Sequence, residues 1–388
     1  MRIVHLIEQL DLSVGGPVRA VIDITSALAA RGHDVTVVTF SDKDAPEAWN
    51  NNDHAPKVHL AHSDKPGWWM NARELERLAD VVRGADALHL HGMWILDATQ
   101  AARVARACGV PYVISLRGML DDWSMKQGRL KKLAYLALRG RAFLRNAGAI
   151  HTTAREELRQ ASRYFPERLG VVIPNYLDLD PYRQPPGPEQ ARAHFHPLRD
   201  APPTALFLSR VHVKKGLEHL IDATEILAAR PGLERLQVIV AGSGDDRYLD
   251  ACKQRARDRG VGDRVHFVGQ VRGDLKLSLY AAADCFVLPT SQENFGFVYF
   301  ESLASGTPVV TTKGTDTWGE LEASGGARIT TQNPEDIADE AQRYLSDRAG
   351  AAEAGARGRE WVFEHLGRET VLGAFEDLYR SVSQGSGS

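Results

Sequence analysis

A chain of 388 residues has the length of two ordinary domains, and 43% hydrophobic with 25% charged residues is the balance of a globular protein. A net charge of −3 excludes a surface that attracts polyanions throughout, so no nucleic-acid partner is expected. Cys108, Cys252 and Cys285 lack metal-type spacing and read as buried free thiols in a reducing cytoplasm. The first residues, MRIVHLIEQLD, lack a signal-peptide layout, and no apolar run reaches the ~20 residues that span a bilayer. The final GSGS, 385–388, reads as a disordered tail.

Ile3–Ile7 is the first strand. Gly15 and Gly16 then precede Pro17, a good first helical residue, and Val18, Val21, Ile22, Thr25, Leu28 and Ala29 make an apolar helical stripe. Strand, glycine loop and helix N-terminus outline a phosphate cradle; a plain tight turn accounts for the same residues. There is no G-x-G-x-x-G, hence no dinucleotide fingerprint. Asp34–Thr39 is the second strand, and residues 42–66 are polar and irregular. Trp68 and Trp69 offer aromatic faces to a sugar ring, or else anchor a loop.

Ala87–His91 (ALHLH) puts His91 at a strand's carboxyl end, where ligands of open α/β sheets bind. His89 is expected to point elsewhere. An H-x-H pair holds a metal only with a third ligand, and none stands nearby in sequence; a structural histidine is the other reading. Pro111–Leu116 leads into Arg117. Ser124–Arg145 then carries Lys126, Arg129, Lys131, Lys132, Arg139, Arg141 and Arg145, no acidic residue, and Leu130, Leu133, Ala134, Ala137 and Leu138 on one stripe. Such a helix suits an anionic membrane, an acidic or pyrophosphate-bearing acceptor, or plain solvation. Ala149–Thr152 and Val171–Ile173 close a βα alternation that implies a parallel sheet.

Residues 184–203, rich in proline and charge, read as a linker. A second βα series starts at Ala205–Ser209. Arg210 at its carboxyl end and Lys215 before Gly216 flank a helix N-terminus, a pair able to clamp a diphosphate; Lys214 reads as solvated. Gln237–Ala241 precedes Gly242, whose turn can pass beside a nucleotide. Cys285–Leu288 (CFVL) and Val309–Thr312 are strands enclosing PTSQENFGFVYFESLASGTP. A loop carries Glu293, and a helix from near Gly296 to Ser305 carries Glu301. Backbone N–H groups at Asn294, Phe295, Gly296, Phe297 and Val298 point from the helix start toward a phosphate. Two carboxylates eight positions apart can take hydroxyls at two parts of one ligand.

Glu, seven residues, Glu, inside S-x-E-x-FG-x-V-x-x-E-x-LA-x-G-x-PVV, resembles the signature of the family-four retaining glycosyltransferases of GT-B fold. Glycine loop, H-x-H, Arg…Lys-Gly and Glu…Glu follow in the family's order along nearly the whole chain. The resemblance implies an α/β architecture of two Rossmann-like domains facing a central cleft. An acceptor domain would span 1–183 and a nucleotide-sugar domain 204–365, with a C-terminal helix over 366–384 crossing back to the first. It also implies roles. Gly15, Gly16 and His91 would face the donor sugar and distal phosphate, Arg210 and Lys215 the leaving diphosphate, Glu293 the sugar hydroxyls and Glu301 the ribose. Arg117 and Trp69 would be acceptor contacts.

The activity implied is retaining transfer from a nucleotide-diphosphate sugar, UDP before GDP, to a hydroxyl of a glycan or lipid-linked acceptor. No metal or other cofactor is expected, and the protein would be cytoplasmic, at the inner face of the membrane. A sugar-nucleotide epimerase, a phosphorylase on the same fold and a non-catalytic sugar-nucleotide sensor are the alternatives. Two departures stand out: Tyr176 in IPNYLD replaces a usual glycine, and Asp316 stands where proline is expected.

Overall fold

Unbroken apolar runs such as CFVL and QVIVA suit strands covered on both faces, which need parallel neighbours reached through crossover helices. The computed structural model, which describes residues 1–62, 69–94 and 96–385, contains this arrangement twice. One unit comprises Met1–Leu177 and the stretch from Arg368 onward; the other is Asp178–Gly367.

In the first unit, β1 (Arg2–Leu6), β2 (Asp34–Thr39), β3 (Lys57–Leu60), β4 (Ala87–His91), β5 (Tyr112–Ser115), β6 (Ala149–Thr152) and β7 (Gly170–Val172) form a seven-stranded sheet. Its order is β3-β2-β1-β4-β5-β6-β7, and every neighbouring pair is parallel. Alternation along each strand divides the core. Val4, Leu6, Leu88, Leu90, Ile114 and Ile150 pack on one face against the helices Ala72–Val82 and Leu96–Ala107. Ile3, Ala87, Val113 and Ala149 pack on the other against Gly16–Ala30 and the C-terminal helix Arg368–Gly385, through Ile24, Leu28, Val371, Phe375 and Tyr379. The last helix of the chain is thus part of the first unit's core. Of the expected tail, only Gly385 falls among the described residues, and it ends that helix.

In the second unit, β8 (Thr204–Leu208), β9 (Gln237–Ala241), β10 (Val265–Gly269), β11 (Cys285–Leu288), β12 (Val309–Thr312) and β13 (Ala327–Thr330) form a parallel sheet in the order β10-β9-β8-β11-β12-β13. The stretch read as a linker, 184–203, is structured. The helix Glu189–His194 packs on Gly273–Ala282, with Ala191, Phe195 and Leu198 buried. The Ser278 hydroxyl donates to Gly187 O (2.7 Å) and accepts from Ala191 N (2.9 Å). Proline and charge marked the exposed side of this segment and hid its few buried apolar residues.

Three further differences have local causes. The strands β3 and β13 were not expected; both are sheet edges, half covered at most, so neither has a buried apolar run. The basic segment is not one helix: Gly128, at φ 61°, separates Asp122–Lys126 from Arg129–Tyr135, and a π-helical turn, Leu136–Gly140, leads to Arg141–Arg145. Tyr176 needs no left-handed backbone; its ring is buried against the C-terminal helix.

Candidate active site

In the second unit the sequence motif becomes a paired-charge site. The helix Phe297–Ala304 starts on Gly296, whose φ of 69° only glycine adopts easily and whose missing side chain leaves room for the Tyr299 ring, 2.3 Å from where a Cβ would lie. Glu293 precedes it in the loop after β11. Its backbone is fixed on both sides: Glu293 N donates to Gly314 O (2.8 Å) and Asp316 N donates to Glu293 O (2.9 Å). Asp316 also accepts from Asn294 Nδ2 (3.0 Å), so the residue found in place of proline ties two loops together.

Lys215 closes a 3₁₀ turn, Val213–Lys215, ahead of the helix Leu217–Ala228. Only 9% of it is exposed, and its Nζ is ion-paired with Glu293 Oε2. Arg210 is exposed and has no side-chain partner among the described residues. Lys214, read as solvated, reaches Gln292 Oε1 (3.4 Å). Gly242 sits where any Cβ would fall 1.8 Å from Ser209 O, so the turn after β9 lies flat against the strand-end carrying Arg210. Glu301 is 1% exposed, and its Oε2 accepts from Lys276 Nζ (3.1 Å) and Tyr280 OH (3.2 Å). Neither partner belongs to the motif. Phe295 and Phe297 are buried with their rings edge to face (5.2 Å, 72°), so they offer a ligand their backbone and not their rings.

The first unit holds a seam of buried polar groups. Residues two apart on a strand share a face, so His89 and His91 point the same way, with stacked rings 4.3 Å apart; the expectation that they diverge was wrong. The register pairs His5 with His89 and Ser115 with both His91 and His151, extending the seam across β1, β4, β5 and β6. The hydrogen bonds assign each tautomer. Ile173 O can only accept, so His151 carries its proton on Nε2 (2.7 Å). Its Nδ1 therefore accepts from the Ser115 hydroxyl (2.6 Å), which accepts from His89 Nε2–H (2.7 Å). His89 Nδ1 accepts from the Tyr379 hydroxyl (2.8 Å) on the C-terminal helix.

Beside this runs a shorter chain. Arg117 can only donate, so His91 Nδ1 accepts from it (3.2 Å), and His91 Nε2–H donates to His5 Nδ1 (3.0 Å). The proton left on His5 Nε2 finds no acceptor among the described residues. Burial and the Arg117 charge hold His5 near a pKa of about 3, and burial puts His151 there too; His89 and His91 lie well below their ordinary value for the same cause. All four are neutral.

Arg117 itself sits at φ 51°, a left-handed conformation rare outside glycine. Burial lowers its pKa to about 10. It donates to Asn175 Oδ1 (2.9 Å), while its Nε is buried without a partner among the described residues. Its loop is held by Glu157, which accepts from Gly118 N (2.5 Å) and Thr153 N (2.7 Å).

His5 is the third histidine that the sequence neighbourhood lacked: ring nitrogens of His5, His89 and His91 lie within 4.8 Å of one another. Both nitrogens of His89 and His91 are already engaged, and a guanidinium abuts His91, so the cluster is a poor cation site. Gly15, at φ 108°, caps the helix Gly16–Ala30, and Gly16 is exposed beside open space. Trp69 is 53% exposed; Trp68 lies outside the described residues.

Two family models cover most of the chain. "Glycosyl transferase 4-like domain" matches residues 15–176 and "Glycosyl transferases group 1" residues 190–361. A D-inositol 3-phosphate glycosyltransferase of Frankia alni is 30% identical over 75% of this chain and 75% of its own. The chain belongs to the family-four glycosyltransferases of GT-B fold.

An uncharacterized glycosyltransferase of Methanocaldococcus jannaschii is 28% identical, over 84% of this chain and 83% of its own. Among solved structures, Anabaena Alr3699/HepE in complex with UDP superposes with a TM-score of 0.79 at 20% identity, covering 97% of this chain and 99% of that one. The glycosyltransferase therefore shares its fold with a protein seen holding UDP. Among its described residues no helix is long and apolar enough to cross a membrane.

Proposed function

We propose that this glycosyltransferase moves a sugar, with retention at the anomeric carbon, from a nucleotide-diphosphate sugar to a hydroxyl of a glycan or lipid-linked acceptor. UDP is the first candidate nucleotide, the one held by the Anabaena neighbour, and GDP the second. The observation that carries the reading is the Lys215–Glu293 pair. A cation and a carboxylate are held in contact at the mouth of two helix N-termini, where anionic and hydroxyl groups of one ligand can exchange for the pairing.

On this reading, charge builds on the leaving diphosphate as the glycosidic bond lengthens. Lys215, Arg210 and the N–H groups ahead of Phe297–Ala304 oppose that charge without a metal. Glu293 takes the sugar hydroxyls and Glu301 the ribose. His91, whose ring nitrogens are both engaged within the protein, is assigned with Gly15 and Gly16 to the donor sugar by the family resemblance. The departing phosphate oxygen receives the acceptor's proton, so no hydrolase-type acid pair is required. Glu301→Ala is expected to weaken binding of free nucleoside diphosphate by about 1–3 kcal/mol, read by calorimetry. An unchanged dissociation constant would remove the ribose role.

The basic segment gives the acceptor side a direction. Leu130 and Leu138 are 83% and 82% exposed, Leu133, Ala134 and Ala137 are exposed too, and Lys126, Arg129, Lys131, Arg139 and Arg141 surround them. The segment is anchored beside the loop after His91: Lys132 lies over the Trp94 ring (5.2 Å) and Tyr135 OH donates to Met93 O (2.6 Å). Apolar side chains in a basic rim fit an anionic bilayer surface. Wild-type protein is expected to sediment with phosphatidylglycerol vesicles and not with phosphatidylcholine vesicles, and Leu130→Glu with Leu138→Glu should abolish it. Equal recovery with both vesicle types would count against a membrane surface.

A further inference from the structure

We infer that Lys276, outside the motif, is the positioning residue that gives the nucleotide site its selectivity for ribose. The inference rests on the reading of Glu301 as the ribose acceptor. Lys276 and Tyr280 are four residues apart on one face of the helix Gly273–Ala282, and both donate to the same Glu301 oxygen, Oε2. Glu301 is withdrawn from solvent, whereas 21% of the Lys276 side chain is exposed. The ammonium therefore reaches inward from the surface to a carboxylate that the motif buries.

That geometry has a chemical consequence. A carboxylate buried this far stays ionised only when a charge or several donors compensate it; otherwise it takes up a proton. An ionised oxygen accepts from ribose hydroxyls about twice as strongly as a neutral one. Two donors converging on Oε2 also fix the carboxylate plane, and so the direction from which a hydroxyl can approach. Tyr280 supplies direction without charge; Lys276 supplies both. A nucleotide lacking the hydroxyls loses nothing when Lys276 is removed, whereas one carrying them does. Lys276 thus controls the difference between the two rather than affinity in general.

The test measures dissociation constants of UDP and 2′,3′-dideoxy-UDP, or the GDP pair where GDP binds tighter, for the wild-type enzyme, Lys276→Met, Lys276→Gln, Lys276→Arg and Glu301→Ala. The wild type is expected to prefer the ribonucleotide about ten-fold or more. Lys276→Met and Lys276→Gln should lose most of that preference while their affinity for the dideoxy compound stays near the wild-type value, which also reports an intact fold. Lys276→Arg, which keeps the charge, should retain most of it. If Glu301→Ala removes the preference and neither neutral Lys276 variant lowers it, the inference is overturned and the ribose role stands. If Glu301→Ala leaves the preference intact, or the wild type has none, the ribose role fails and the inference with it.

Discussion

Replacing Lys215 with alanine is expected to lower kcat by about 10²–10³-fold, the usual effect of removing one preorganised group that faces developing charge. The side chain is nearly enclosed and already in contact with Glu293, so it has no search to make when a diphosphate enters. Arg210, exposed and without a side-chain partner among the described residues, would have to be ordered on binding and cannot replace it at no cost. The substitution also has a structural cost. Glu293 loses its partner, and with a quarter of its side chain exposed water takes over only in part; about 1–3 kcal/mol is the expected scale. Turnover and melting temperature measured on one preparation separate the two effects. A variant that turns over like the wild type would exclude Lys215 from the diphosphate site.

Lowering the pH from 7 to 5 is expected to destabilise the protein by several kcal/mol, apart from any effect on catalysis. Burial depresses the folded-state pKa of His5, His89, His91 and His151 below the ordinary 6.5, to about 3 for His5 and His151. In the unfolded chain the same rings take up protons as the pH falls through 6.5, and in the folded chain they do not. Stability is therefore fully present above that value and declines from there toward pH 3, by about 1.4 kcal/mol per pH unit for each ring that stays neutral. Arg117 is the charged group in contact with the seam and works in the same direction; the Tyr379 hydroxyl facing His89 stays protonated throughout. Urea midpoints across pH 5–8 check this. A flat profile would mean that the rings gain protons while folded and that the hydrogen-bonded tautomers do not persist.

How much of this could be read from the sequence depended on whether the signal was local. CFVL, QVIVA and DVTVVT are buried on both faces and announce themselves; Lys57–Leu60 and Ala327–Thr330, at sheet edges, carry polar residues because solvent reaches them. Lys215, Glu293 and Glu301 could be singled out as candidates because a turn, a loop and a helix place them within short stretches, and the structure pairs the first two. Their close neighbours were harder. Lys276 lies 25 residues before Glu301, and nothing in GDLKLSLYAA marks it as the partner of a buried acid. The histidine seam was legible only as one H-x-H. His5 and His151 join it through strand register and Tyr379 through a helix 290 residues from His89, relations that no spacing rule contains. Arg117 was singled out for its position, but its left-handed backbone and the burial of its guanidinium belong to the folded loop alone.

Because the stretch from Arg368 onward completes the first unit, the order of synthesis and the order of folding diverge. During translation Met1–Leu177 emerges with one face of its sheet covered by Gly16–Ala30 but not by the C-terminal helix that shares the task, and with His89 Nδ1 lacking the Tyr379 hydroxyl; it stays so until the intervening Asp178–Gly367 has been made. The N-terminal half is begun first and closed last. The strip of that face left for the last helix stays open through the interval, when the chain is most prone to aggregate.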